Sequence, residues 1–141
     1  MNKKLKELES AIKYSFKDKT LLHQALTHKS FSNISNNEKL EFLGDRVLGL
    51  IISKKLLDKY PNEKEGTIDK KFANLVNKNT CANIAKKLNI KKYVYIGSSN
   101  KNLDRSADKI LSDTLEAVVG AIYLDGGIKA SEGFILNFWE S

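Results

Sequence analysis

One stretch of the chain, residues 38–48, places acidic side chains in a pattern that otherwise predicts a buried helix. It reads Glu38-Lys-Leu-Glu-Phe-Leu-Gly-Asp-Arg-Val-Leu48. At about 100° per residue, Glu38, Glu41 and Asp45 share one side of such a helix. The opposite stripe is apolar and consists of Leu40, Leu43, Val47 and Ile51. Because carboxylates one turn apart repel one another, the acidic side needs a positive partner, and a divalent cation meets that need.

A second acidic pair lies near the other end of the chain, in residues 110–124. Asp113 and Glu116 share one side of a second amphipathic helix. Gly44 and Gly120 flank the two sets of acids, and because glycine costs about 1 kcal/mol in a helix interior relative to alanine, its presence indicates close helix contact. Packing the two helices together would form one cluster, made of Glu41, Asp45, Asp113 and Glu116. Oxygen ligands without Cys or His favour Mg²⁺ or Mn²⁺ over zinc.

The first acidic stretch resembles the signature of the ribonuclease III family. The matching run is Asn37-Glu-Lys-Leu-Glu-Phe-Leu-Gly-Asp45. Three further blocks follow the family's order: Ala25-Leu-Thr-His-Lys-Ser30, Glu65-Gly66 and Asp113-Thr-Leu-Glu-Ala-Val-Val-Gly-Ala-Ile-Tyr-Leu-Asp125. Several blocks in register are far more specific than a single short motif, and they cover nearly the whole chain.

The resemblance implies an all-α helical bundle of the ribonuclease III type that works as a homodimer, with one site in each subunit cutting one strand. It implies Mg²⁺-dependent endonucleolytic hydrolysis of double-stranded RNA to 5′-phosphate and 3′-hydroxyl ends, in the processing of rRNA and mRNA precursors. Mn²⁺ is expected to substitute for Mg²⁺. In a two-metal scheme, cations about 4 Å apart would activate a water molecule and stabilise the leaving oxygen.

The resemblance also assigns roles to individual acids. The implied metal ligands are Glu41, Asp45, Asp113 and Glu116, of which Asp45 and Glu116 are also taken as catalytic. Glu38 and Glu65 are implied to be auxiliary catalytic acids beside the cleavage site. For Glu65 the alternative is a charge placed at a helix start, where the helix dipole favours it.

Phe42 gives a reason to expect the dimer. This large apolar side chain lies beside the acidic side of its helix and off the stripe of Leu40, Leu43 and Val47. A monomer would therefore expose it. The family resemblance places this aromatic ring in a pocket of the partner subunit. The alternative is a helix that is buried on two sides within one chain.

The length and composition predict one helical domain. With 141 residues the chain suits a single domain with a real core, and residues 1–141 are expected to form the nuclease domain. Bacterial members of the family typically continue into a double-stranded-RNA-binding domain, and nothing in this sequence resembles one. The composition, 41% hydrophobic and 29% charged with a single proline, is typical of a folded helical protein.

The charge and cysteine content limit the function classes. The formal net charge is +7, so a positive body would surround an acidic site, which suits a polyanionic substrate. A solvated lysine-rich surface is the alternative. The single cysteine, Cys81, excludes an internal disulfide and a cysteine-built zinc site, and we expect it to fill core space. Without an apolar signal core or a window of ~18 apolar residues, a cytoplasmic protein is expected.

Hydrophobic periodicity predicts the helices. The expected segments are 5–16, 21–27, 38–59, one long helix from Glu65 or Thr67 to just before Asn89, and two segments either side of Asp125-Gly-Gly127. Ser106 is predicted to cap the second acidic helix. Residues 91–105 are expected to form a basic, partly irregular connector, and no strand pairing is expected.

Two residues need separate comment. His28 is expected to make structural hydrogen bonds and not to bind metal, because His23 lies five residues before it, off the one-turn spacing of a helical metal pair. Phe72 stands where many relatives have an arginine, while Lys70 and Lys71 precede it. The position of that positive charge is therefore open.

Three other interpretations make different demands on the sequence. A ferritin-like di-metal bundle needs a histidine three residues after each of two glutamates. Here Gly44 lies three residues after Glu41 and Val119 three residues after Glu116, so this class of protein is excluded. A non-catalytic RNA-binding relative would be expected to lose metal ligands, and none of the four is lost. A compact relative that acts on a narrow structured RNA stays open.

Overall fold

The computed structural model describes residues 3–97 and 104–139. This part of the chain is helical, as the sequence predicts. The helices are α1 (Lys3–Ile12), α2 (Lys19–Ala25), α3 (Glu38–Lys59), α4 (Glu65–Val76), α5 (Lys78–Lys87) and α6 (Asp108–Phe138), with a 3₁₀ turn at Ile90–Tyr93. In the same ranges the β pairing is limited to one parallel bridge between Thr27 and Tyr95. Residues 98–103 of the predicted connector lie outside the described residues.

Helices α3 and α6 form the centre of the bundle. Their buried apolar side chains include Leu40, Leu48, Ile52 and Leu56 from α3 and Leu111, Leu115, Val118, Val119 and Ile122 from α6. Full burial of one such side chain contributes about 1.5–3 kcal/mol. The acids of the two helices therefore lie at the edge of a well-packed helix interface.

Two glycines allow α3 and α6 to approach closely. A Cβ atom at Gly44 would collide with the main-chain carbonyl oxygen of Glu116, and one at Gly120 would collide with that of Leu40. Because the main chain of a packed helix has no room to move aside, only glycine fits at these positions. The predicted helix contact at Gly44 and Gly120 is confirmed.

Helix α1 is shorter than predicted, since it ends at Ile12 and not at Phe16. Lys13 has a φ of 60°, which takes the chain out of the helix. The carboxylate of Glu9 then accepts a hydrogen bond from the Phe16 N–H at 2.7 Å and holds the turned chain. Phe16 is still buried, so its apolar character reflects core packing outside a helix.

The prediction of one long helix that ends before Asn89 is wrong, because the chain forms two helices, α4 and α5, that meet at Asn77. Asn77 has an extended ψ of 164°, and its side chain accepts a hydrogen bond from the Thr80 N–H at 2.8 Å. An asparagine that caps a helix start offers the backbone an alternative to helix continuation.

The cap predicted for α6 is also wrong. Ala107 occupies the N-cap position without a side-chain hydrogen bond. Ser106 instead donates its N–H and its hydroxyl to the Asp104 carboxylate, at 2.9 and 2.7 Å. The predicted interruption is confirmed within α6, where Gly127 has a φ of 82° and breaks the helical geometry.

Cys81 is buried, as predicted, and packs in the core. Burial, together with the nearby charges of Glu116 and Asp45, raises the pKa of its thiol to about 12. The thiol is therefore protonated at neutral pH and serves as packing behind the acidic residues. None of the helices among the described residues is long and apolar enough to span a bilayer.

Candidate metal centre

Three carboxylates converge where α3 meets α6. Glu41, Asp113 and Glu116 each offer an oxygen atom that lies within 4.8 Å of the oxygens offered by the other two. Glu41 comes from α3, and the i, i+3 spacing of Asp113 and Glu116 turns both toward it from α6. The structure thus brings together three of the four acids that the sequence suggests as metal ligands.

Asp45, the fourth predicted ligand, adjoins this group through Glu116. Asp45 is close enough to Glu116 to help raise the pKa of that carboxyl, as Asp113 does for Glu41. Asp45 is exposed, and its Oδ2 lies 3.4 Å from Nη1 of Arg46. We call Glu41, Asp45, Asp113 and Glu116 the carboxylate cluster, with Asp45 at its solvent-facing rim.

Two acids of the cluster, Glu41 and Glu116, bind protons more tightly than isolated carboxylates do. Burial, followed by the charge of Asp113, raises the pKa of Glu41 to about 7. Burial and the hydrogen bond to Asp45 raise the pKa of Glu116 to about 9. In the absence of a cation, both effects disfavour the ionised acids. A divalent cation would relieve the repulsion and replace the protons.

The donor set fits a hard divalent cation. Glu41, Asp113 and Glu116 supply oxygen atoms only, and among the described residues no histidine or cysteine joins them. Oxygen ligands select Mg²⁺ or Mn²⁺, whereas zinc sites draw on histidine and cysteine.

Lys109 is a neighbour of the cluster that the sequence analysis missed. Its Nζ lies 2.8 Å from Oδ2 of Asp113, one helical turn further along α6. The i, i+4 spacing of opposite charges on a helix was the signal that could have revealed this pair. The ion pair with Asp113, with smaller effects of Glu41 and Glu116, raises the pKa of Lys109.

Glu38 and Glu65 are not among the acids that converge. Glu38 is exposed in the first turn of α3, and its charge contributes to raising the pKa of Glu41. Glu65 begins α4 and lines a separate shallow pocket with Ser53, Asp69 and Phe72. Their suggested catalytic roles stay predictions.

His28 makes the structural hydrogen bonds that the sequence suggests. Its ring Nδ1 accepts from the Ser30 N–H at 3.0 Å, and its main-chain N–H donates to the Tyr95 carbonyl at 3.0 Å. Ser30 in turn accepts through Oγ from the Gly97 N–H at 3.0 Å. These bonds tie residues 95–97 to the loop that precedes α3.

Phe72 acts in packing between α4 and α3. Its ring lies 3.6 Å from the place where a Cβ of Gly49 would be, so the glycine leaves room for the aromatic side chain. The neighbouring Lys71 places Nζ 4.3 Å from the centroid of the Tyr60 ring. Phe72 therefore has a packing role of its own, and Lys71 stabilises the start of the α3–α4 turn through a cation–π contact.

Phe42 is 63% exposed in the single chain, as the sequence predicts for a monomer. The alternative of a helix buried on both sides is wrong. Leu50 and Leu57 on the same side of α3 are also exposed, at 63% and 59%. The Arg46 guanidinium lies 3.9 Å from the centroid of the Phe42 ring. We call Phe42, Leu50 and Leu57 the α3 apolar face.

Sequence comparisons agree with this geometry. A family model described as Ribonuclease-III-like matches residues 18–140. The chain is 56% identical to Ribonuclease 3 of Pelagibacter ubique over 133 residues, which are 94% of this chain and 60% of that protein. It is 42% identical to Ribonuclease 3 of Campylobacter jejuni over 139 residues, which are 98% of this chain and 62% of that protein. The chain thus spans less than two thirds of these curated relatives.

Solved structures share the helical bundle. One is the nuclease domain of ribonuclease III from Campylobacter jejuni, which has a region involved in dimer formation. It superposes on this chain with a TM-score of 0.92 at 41% sequence identity, and the match covers 95% of this chain and 94% of that one. Dicer from Pichia stipitis, at 24% identity and a TM-score of 0.66 over 86% of this chain and 53% of that one, shares the fold. Because the family model spans both helices of the carboxylate cluster, this chain belongs to the Ribonuclease-III-like family.

Proposed function

We propose that this chain is the nuclease domain of an endoribonuclease that cleaves double-stranded RNA with the help of a divalent cation. The observation that carries the proposal is the convergence of Glu41, Asp113 and Glu116 within 4.8 Å, on a chain with a net charge of +7. An acidic centre on a basic molecule suits a substrate whose phosphates need a positive approach and a cation at one point.

In this proposal, Glu41, Asp45, Asp113 and Glu116 hold Mg²⁺, and Mn²⁺ substitutes for it. When bound, the cation supplies Lewis-acid stabilisation of the charge that develops on the phosphate oxygens and lowers the pKa of bound water. The chain's own contribution is to fix the acids before substrate arrives. The tight contact at Gly44 and Gly120 sets the spacing between the two helices, so the carboxylates need no rearrangement to share one cation.

The remaining details of the proposed reaction follow from the family resemblance. The substrate is double-stranded RNA, the products carry 5′-phosphate and 3′-hydroxyl ends, and the biological context is rRNA and mRNA precursor processing in the cytoplasm. Residues 1–141 would form the nuclease domain. Glu38 and Glu65 would act as auxiliary acids near the cleaved bond.

We further propose that two copies of the chain pair through the α3 apolar face. Three large apolar side chains on one side of α3 are more than half exposed, which is unusual unless a partner covers them. The related Campylobacter jejuni nuclease domain has a region involved in dimer formation. Phe42, with Arg46 against its ring, is the expected anchor of the interface.

A non-catalytic RNA-binding protein is the second candidate function. It would use the same fold and the same basic surface to hold RNA, and the positive net charge favours it equally. It gives no reason, however, for three acids to converge within 4.8 Å at the cost of mutual repulsion. The acids thus favour the nuclease.

The experiment that separates the two functions uses the purified chain and a duplex RNA, with one strand of the same sequence as the control. We expect cleavage of the duplex in Mg²⁺, none in EDTA, and fragments that a ligase accepts through their 5′-phosphate ends. Binding of duplex RNA without cleavage in Mg²⁺ or Mn²⁺ would contradict the nuclease and support the binding protein.

A further inference from the structure

Lys109 lies against the carboxylate cluster. Its Nζ lies 2.8 Å from Oδ2 of Asp113, and its charge also acts on Glu41 and Glu116. The lysine side chain is 73% exposed, whereas the Asp113 side chain is 26% exposed. A largely exposed cation therefore contacts a mostly buried acid of the cluster.

The ammonium group and a divalent cation would compete for the same acid. Asp113 Oδ2, which accepts from Lys109, is one of only two oxygens through which Asp113 can bind metal. Even if the cation used the other oxygen, two positive charges would then lie within a few Å of each other and repel. Metal binding is therefore favoured when Lys109 moves away from Asp113.

We propose that Lys109 is a resident counter-ion of the carboxylate cluster that a divalent cation displaces from Asp113. In this role Lys109 stabilises the metal-free chain and weakens metal binding, and so sets the cation concentration at which the site fills. The inference rests on the proposed function only in that the cluster binds a divalent cation. It does not depend on cleavage of RNA.

The chain contains a matched control for this ion pair. Lys54 and Asp58 on α3 have the same i, i+4 spacing and the same 2.8 Å distance, and both are exposed. Asp58 lies 13 residues beyond Asp45 in one helix, which at 1.5 Å per residue is about 20 Å away. Lys54→Met therefore removes an equivalent ion pair far from the cluster.

The test measures Mn²⁺ binding to the purified chain without RNA, by electron paramagnetic resonance of the free ion. Lys109→Met and Lys109→Gln should bind Mn²⁺ about three- to tenfold more tightly than the wild type, the scale of a screened interaction between nearby charges. Lys109→Arg should bind like the wild type, because it keeps the charge. Lys54→Met should also leave Mn²⁺ affinity unchanged.

Thermal unfolding gives a second readout. In EDTA, Lys109→Met should unfold at a lower temperature than the wild type, and saturating Mn²⁺ should raise its unfolding temperature by more than it raises that of the wild type. If Lys109→Met and Lys109→Gln both bind Mn²⁺ no more tightly than the wild type, the proposed role of Lys109 is wrong, while the metal centre itself stands. If the wild type does not bind Mn²⁺, or if Glu116→Gln binds Mn²⁺ as tightly as the wild type, the proposed metal centre is wrong and this inference fails with it.

Discussion

The α-carbon of Gly44 lies directly against the main-chain carbonyl of Glu116, so that no side chain fits between them. The contact joins the acidic stretch of α3 to the acidic pair of α6. It also fixes how far Glu41 stands from Glu116. The spacing of the carboxylate cluster thus depends on a residue that has no side chain.

Gly44→Ala should destabilise the fold and loosen the cluster. The added methyl group would push α3 away from α6, and overpacking of this kind costs about 1–3 kcal/mol. Urea unfolding measures the loss. Gly133→Ala on α6 is the control, because no atom lies within 4 Å of the added Cβ, and it should leave stability unchanged or raise it by up to about 1 kcal/mol. Equal stability of Gly44→Ala and the wild type would contradict the close contact.

Phe42→Ala should weaken self-association. If the ring packs into a second copy, its truncation removes about 3–5 kcal/mol from the interface, the typical cost for a packed aromatic side chain. Sedimentation equilibrium measures the dissociation constant. A wild-type chain that stays monomeric at high micromolar concentration would show that the α3 apolar face is not a dimer interface.

Binding of duplex RNA by this chain should be weak and strongly dependent on salt. The attraction comes from lysine and arginine contacts to phosphates, and each neutralised phosphate adds about 0.9 to the slope of log affinity against log salt for a double helix. Titrations between low and moderate KCl concentrations measure that slope. Tight binding that is insensitive to salt would mean that contacts other than phosphate pairing dominate.

Removing the cation should make stability fall as the pH rises. Glu41 and Glu116 have pKa values of 4.5 when unfolded and about 7 and about 9 when folded. At a pH between the unfolded and folded pKa values, the folded state binds more protons than the unfolded state does. The stability that these two acids contribute below pH 4.5 is therefore lost as the pH rises through 7 and 9.

Urea unfolding in EDTA across this pH range measures the effect, with Glu116→Gln as the comparison. The wild type should lose stability more steeply than the variant, and saturating Mg²⁺ should flatten the wild-type profile because the cation replaces the protons. Parallel profiles for the wild type and Glu116→Gln in EDTA would contradict the raised pKa of Glu116.

The sequence predicts the helices and the acids well because both depend on local periodicity. The acidic side of α3, the pairing of Asp113 with Glu116 and the glycine contact follow from helical spacing. The ends of helices were harder to predict. Asn77 divides one predicted helix through a side-chain hydrogen bond to Thr80, and a periodic apolar pattern that continues on both sides does not reveal such a bond.

Contacts between distant segments are also not predicted by the sequence. The bridge between Thr27 and Tyr95 forms because residues 94–97 return to the end of α2, and no local sequence pattern predicts such a contact. The sequence leaves open the role of Phe72, where many relatives have an arginine, and the structure shows its ring packed against Gly49. Lys109 could have been found from its spacing to Asp113, although spacing alone does not show that Asp113 belongs to a cluster.

We expect the carboxylate cluster to be a cleavage site and not only a site of RNA binding. Glu116→Gln removes one charge of the cluster with little change in side-chain size. RNA binding should persist or improve, because the variant repels phosphate less. Cleavage should fall by orders of magnitude, because metal stabilisation of the transition state is worth several kcal/mol. Mn²⁺ should restore part of the rate if the loss is one of metal affinity.

The most direct test is single-turnover cleavage of a duplex RNA in Mg²⁺ beside a gel-shift titration, for the wild type, Glu116→Gln and Glu132→Gln. Glu132 lies on the same helix beside Lys54 and Leu136, away from the cluster, and serves as the matched control. We expect Glu132→Gln to cleave like the wild type, while Glu116→Gln binds the duplex but hardly cleaves it. Undiminished cleavage by a folded Glu116→Gln variant would mean that the carboxylate cluster is not the cleavage site.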